Sequence, residues 1–95
     1  MKNFIQSFLD KTPAAVKKLE DHLHEKDYHA LSRSAHSLKP QLSYMGIKSA
    51  NNLVVTIEES AKNETNIDHL SDLTRDLKQI LEKAYSELRE KLKEL

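Results

Sequence analysis

The sequence predicts an all-α fold: an antiparallel up-down-up-down four-helix bundle with a short extra N-terminal helix. Three observations predict it. Apolar residues recur at spacings of three and four along nearly the whole chain. Among 95 residues there are one Gly and two Pro, so little in the chain interrupts a helix. The polar stretches between apolar stripes are only a few residues long, and short connectors make successive helices antiparallel neighbours.

The first helical stretch covers residues 2–25. Phe4, Ile5, Phe8 and Leu9 give one apolar face. Thr12-Pro13 then reads as an N-cap followed by Pro at the first helical position. A short helix, a break at Asp10–Thr12 and a second helix from Pro13 to Glu25 are therefore expected. In that second helix Val16, Leu19 and Leu23 continue the spacing. Asp27 is the next N-cap. After it Tyr28, Leu31, Ala35, Leu38, Leu42 and Met45 form one stripe that ends at Gly46. Gly is the common helix-ending residue because it tolerates a left-handed backbone. Ile47, Ala50, Leu53, Val54, Ile57 and Ala61 mark a further helix, and residues 63–66 a polar connector. The last helix starts near Ile67 and carries Leu70, Leu73, Leu77, Ile80, Leu81, Ala84, Leu88 and Leu92. Its end, from Glu82 onward, alternates charges and is expected to project past the bundle.

The length allows one domain over residues 1–95 and leaves no room for an ATP-binding catalytic domain beside it. A single Gly excludes Gly-rich phosphate-binding loops, which need at least two. With no Cys there is no disulfide frame, thiolate metal site or thiol nucleophile. MKNFIQSFLD lacks the apolar core of a signal peptide, and no apolar run reaches membrane-spanning length. A cytoplasmic protein without membrane contact is expected. Fifteen basic residues balance fifteen acidic ones, which argues against nucleic acid as a partner and favours a monomer.

The balance is not local. Between Asp27 and Glu58 no acid occurs, where the chain average would place about five. The same window holds Arg33, Lys39, Lys48, His29 and His36. At 3.6 residues per turn Ser32, His36, Lys39 and Ser43 line one flank of their helix, beside the apolar stripe. The imidazole of His36 thus stands at the edge of the core next to an ammonium. Metal binding is a poor account of the five His. His29 and His36 share a face but lie about 10 Å apart, two turns along. His22 and His24 point to different sides, and neither a Glu-x-x-His nor a His-Glu-x-x-His unit occurs.

The run AHSLKPQLSYMGI, Ala35 to Ile47, resembles the signature of the histidine-containing phosphotransfer (HPt) domains of bacterial two-component phosphorelays. In that family a small residue precedes the phosphoacceptor His. An apolar residue follows at two, Lys at three, usually Gly at four, and Gly at ten. Those positions here are Ala35, His36, Leu38, Lys39, Pro40 and Gly46. The family fold is the bundle already read from periodicity. Pro40 departs from the pattern. It has no N–H to donate to the His36 carbonyl, so a kink or widened turn is expected just after His36.

The resemblance implies a carrier, not an enzyme. His36 Nε2 takes a phosphoryl group from a receiver-domain aspartyl phosphate and passes it to another receiver. The partners implied are response-regulator receiver domains and a hybrid sensor histidine kinase. No cofactor of the chain's own is implied; Mg²⁺ belongs to the receiver. In this family a Gln or Glu twenty-two residues after the His often orients the ring. Here that residue is Glu58, the first acid after the empty window. Lys39 and Lys62 are implied to meet the phosphoryl oxygens. Arg33, Ser32, Pro40, Ser43 and Gly46 complete the motif and docking surface, with Phe8, Leu9, Tyr44 and Met45 as apolar docking candidates. The competing reading is a helical protein–protein interaction module, which explains the bundle but leaves the His-Lys-Gly spacing to coincidence.

Overall fold

Four apolar stripes become four helices in the computed structural model, which describes residues 2–94. They are α1 (Lys2–His24), α2 (Tyr28–Met45), α3 (Lys48–Asn63) and α4 (Ile67–Glu94). Each of α1 and α3 packs against both α2 and α4, and among the described residues the diagonal pairs bring no Cα atoms within 8 Å. Cross-helix contacts give the senses. Phe4 meets Tyr44 and Thr12 meets Gln41, so numbers rise along α1 as they fall along α2. Phe8 meets Tyr85 and Glu20 meets Lys78, so α4 also falls as α1 rises.

The core is the set of inward rows. Leu31, Ala35, Leu38 and Leu42 of α2 are fully buried, as are Leu19, Ala50, Val54, Ile57, Leu70, Leu77 and Leu81. In α2 these residues fall at the expected spacing, so their burial leaves Arg33, His36 and Ser37 on the outer surface. The hydrophobic effect of these rows supplies most of the helical stability, because isolated helices of this length are marginal in water.

The expected short N-terminal helix does not exist as a separate element. α1 runs unbroken from Lys2 to His24 with Pro13 inside it. Ile5, Phe8, Val16 and Leu19 are buried on both sides of the proline, which holds the chain helical. The cost is the one bond that Pro13 cannot donate to Leu9. Thr12 is therefore no N-cap. It is buried within α1, and its hydroxyl donates to Gln41 Oε1 of α2 at 2.9 Å.

Pro40 behaves in the same way. Residues 28–45 are α-helical throughout, so Pro40 does not end the helix after His36. Buried Leu38 and Leu42 flank the proline, whose own ring faces solvent. At the other end of α2 the chain stops as expected. Asp27 accepts from the Ala30 amide at 3.2 Å at the start. Gly46 is left-handed (φ 72°) at the finish, where the Ile47 amide closes back onto the Leu42 carbonyl at 3.1 Å. A Cβ at position 46 would meet nothing within 4 Å, so only the backbone resists substitution there. Gly46→Ala should cost about 1 kcal/mol, read as a lower melting temperature by circular dichroism.

The overhang of α4 is shorter than the charge alternation suggested. Tyr85 is buried against Phe8, with ring centroids 5.9 Å apart, and Leu88 also packs on the core. Burial, and then Glu82, push the Tyr85 hydroxyl up to about 12, so it stays protonated. At ~1.5 Å per residue α4 is about 42 Å long, which accounts for the 43 Å long axis of the molecule.

Candidate functional site

The acid-free face of α2 meets α3 at one carboxylate. His36 projects from the middle of α2 with its side chain 67% exposed. Across the α2–α3 seam Glu58 places Oε2 2.7 Å from His36 Nδ1. Its other oxygen, Oε1, accepts from Lys39 Nζ, also at 2.7 Å. Glu58 is only 17% exposed and Lys39 33%, so this is a partly desolvated chain of three groups. It arises because His36 and Lys39 lie one turn apart on α2 and both face the same position of α3.

The protonation states follow from the partners. The Lys39 ammonium, and next the His36 hydrogen bond, hold the Glu58 carboxyl below the usual carboxylate range, against a partial burial that pushes it up. An ionised carboxylate can only accept. Nδ1 of His36 must therefore carry the proton, and the lone pair of neutral imidazole is left on Nε2. An exposed ring with a bare Nε2 and a fixed Nδ1–H has a lone pair turned to solvent that is chemically able to attack an electrophile.

Beside this pair lies an open groove of about 560 Å³. Its walls are His29, Ser32, Arg33 and His36 from α2, Glu58, Ala61 and Lys62 from α3, and Glu64 just after it. The structure thus gathers His36, Glu58, Ser32, Arg33 and Lys62 at one place. Lys39 reaches Glu58 but is not part of the groove wall. Pro40 and Ser43 lie exposed farther toward the Gly46 turn and take no part in it.

The apolar docking candidates separate. Phe8 is 3% exposed and belongs to the core, while Leu9 and Met45 are partly buried against it. Tyr44 stands out at 62% exposed, its ring tilted over Phe4 with centroids 3.9 Å apart. Sequence reasoning missed three things: the Lys39–Glu58 bond, the Phe4–Tyr44 pair, and the place of His29 and Glu64 in the groove. His29 had a signal, since it stands seven residues before His36 on the same face. Among the described residues no three His, Cys, Asp or Glu side chains converge to share a metal ion. None of the described helices is long and apolar enough to cross a membrane.

The geometry is a solvent-facing imidazole braced on its inner nitrogen within a helical bundle. The chain belongs to the Hpt domain family, whose model matches residues 3–94, nearly the whole sequence. Membership places it in phosphotransfer of two-component signalling, where such domains carry the phosphoryl group between receiver and kinase domains and are not themselves kinases. No curated protein and no solved structure matches the chain.

Proposed function

We propose that His36 is the phosphoacceptor of a relay, taking a phosphoryl group from the aspartyl phosphate of one receiver domain and passing it to another. The observation that carries this reading is the 2.7 Å contact between Nδ1 and Glu58 on a ring whose other nitrogen is free. In the forward step the Nε2 lone pair attacks phosphorus. The P–O bond to the aspartyl carboxylate breaks, the receiver recovers its carboxylate, and the Nδ1 proton stays where it is. The ring becomes cationic on forming the N–P bond, and Glu58 stabilises that charge at contact distance. Transfer to a second receiver reverses the same exchange.

The chain supplies a nucleophile and a surface; in this reading the acidic pocket and its Mg²⁺ come from the receiver. A hybrid sensor kinase is the donor class that fits upstream. The up-down-up-down topology belongs to the same reading, supported by the opposed numbering of contacts along α1, α2 and α4. The absence of acids from residue 28 to residue 57 removes repulsion toward both the phosphoryl group and an acidic receiver pocket.

Incubation with a phosphorylated receiver tests the proposal. Label should move onto this chain and be lost in acid yet survive alkali, as a phosphohistidine does. Label that survives acid, or no transfer from any of several receivers, would contradict it.

A further inference from the structure

Pro40 leaves a gap in the helix that carries His36. It has no N–H for the His36 carbonyl, so the α2 backbone lacks a bond one turn after the ring. The helix nevertheless continues to Met45. Its polar contacts change partner at this point. Before the proline, His36 and Lys39 both bond to Glu58 of α3. After it, the Gln41 side chain bonds to Thr12 of α1. Among the described residues these are the side-chain hydrogen bonds that α2 makes to other helices, and they bracket Pro40. The ring is thus fixed on one side of the gap, and the following turn on the other.

Thr12 is fully buried, so it meets neither solvent nor the groove beside His36. A helical Thr commonly turns its hydroxyl back to the carbonyl four residues before it, here that of Phe8. The Thr12 hydroxyl instead crosses to Gln41 Oε1, 2.9 Å away and one residue past Pro40. The Phe4–Tyr44 ring pair, with centroids 3.9 Å apart, joins the same end of α2 to the same helix. Across the seam α1 therefore supplies a restraint that the α2 backbone lacks. The Glu58 contact needs it, because a hydrogen bond of 2.7 Å tolerates little displacement. A bend at Pro40 would swing residues 36–39 against the segment after them and draw Nδ1 off the carboxylate.

We propose that Thr12 is a positioning residue for His36: through Gln41 its hydroxyl steadies α2 across Pro40 and so keeps Nδ1 on Glu58. Its bearing on reactivity rests on the reading of His36 as acceptor; its bearing on the ring tautomer does not.

Thr12→Val keeps the shape of the side chain and removes its donor, whereas Thr12→Ser keeps the donor and removes a methyl. For a residue that merely fills space, Ser is the more damaging change; for a positioning hydroxyl, Val is. ¹H–¹⁵N spectra of the neutral His36 ring should show Nδ1–H alone in the parent and in Thr12→Ser, and a mixture with Nε2–H in Thr12→Val. Phosphoramidate, a small donor that needs no receiver, should modify His36 of Thr12→Val about fivefold more slowly, the factor carried by one ordinary hydrogen bond. Pro40→Ala returns a donor to the His36 carbonyl, so in the Thr12→Val background it should restore both readouts. Gln41→Leu breaks the same bond from its half-buried side and should reproduce Thr12→Val, which keeps the test decisive should that variant fail to fold. The proposal is overturned if Thr12→Val or Gln41→Leu leaves the tautomer unchanged, if Thr12→Ser disturbs it as much as Thr12→Val, or if Pro40→Ala rescues nothing. Failure of phosphoramidate to modify His36 in the parent would reject the acceptor reading, and the tautomer would then decide the role of Thr12 by itself.

Discussion

Replacing His36 with Gln is expected to remove phosphoryl transfer entirely and leave the bundle standing. In the proposed relay the ring is the nucleophile, and Gln has no lone pair on nitrogen able to form the N–P bond, so label from a phosphorylated receiver should fall to background. The fold should tolerate the change because the side chain is two-thirds exposed and contributes no core contact. Nor does the substitution strand a charge, since Glu58 keeps Lys39 at 2.7 Å. Stability should stay within about 0.5 kcal/mol of the parent, as for most surface substitutions. A variant that loses transfer and also unfolds would assign His36 to structure instead. A variant that retains full transfer would place the acceptor on another residue.

The second large effect is expected at Glu58. Glu58→Ala should slow transfer about ten- to hundredfold, the usual cost of deleting the partner that fixes the tautomer and orientation of a functional histidine. Label should still arrive on His36, because the nucleophile remains. Glu58→Gln separates the two contributions of the carboxylate. Its amide oxygen can accept from Nδ1, restoring orientation, but it offers no negative charge to the imidazolium that forms. Its rate should therefore lie between those of the alanine variant and the parent. Equal rates for all three would remove Glu58 from the mechanism.

The same carboxylate makes a pH-dependent contribution to folding. Its folded pKa is lowered from the ordinary 4.5, first by Lys39 and also by His36. A lowered pKa stabilises the fold fully above the unfolded value, and that stabilisation is lost as pH falls through the folded value. Parent and Glu58→Gln proteins should thus differ by a constant amount above about pH 4.5 and converge below it. Chemical denaturation at a series of pH values reads the difference directly. A gap that stays constant or widens as acid is added would contradict the assignment.

Much of this architecture is legible in the residues. The α2 stripe from Leu31 to Leu42 and its end at Gly46 follow from spacing and from the backbone freedom of glycine. The approach of Glu58 to His36 is legible through the family resemblance, which implies a Gln or Glu twenty-two residues after the His. The continuity of α1 was not. Thr12-Pro13 carries every local mark of a helix start, but local marks cannot weigh burial of Phe8 and Val16 on either side against one lost hydrogen bond. Tyr85 stands four residues after Leu81 on the same row, inside the charge-alternating end that is expected to project past the bundle.

Lys39 shows a different limit. Helical periodicity says which face a side chain occupies, not which neighbour across the seam it will choose. His36 and Lys39 both reach one carboxylate, and only the packed structure shows that its two oxygens are shared between them. That sharing sets Lys39 beside Glu58 and outside the groove wall.

The central claim is that Nε2 of His36 is the accepting atom, with the Nδ1 proton held by Glu58. The most direct test is a long-range ¹H–¹⁵N spectrum of the phosphorylated protein, in which the nitrogen bonded to phosphorus is identified by its coupling. Phosphorus on Nε2 of His36, with the proton retained on Nδ1, is the result expected. Phosphorus on Nδ1 of His36, or on His22, His24, His29 or His69 instead, would contradict it.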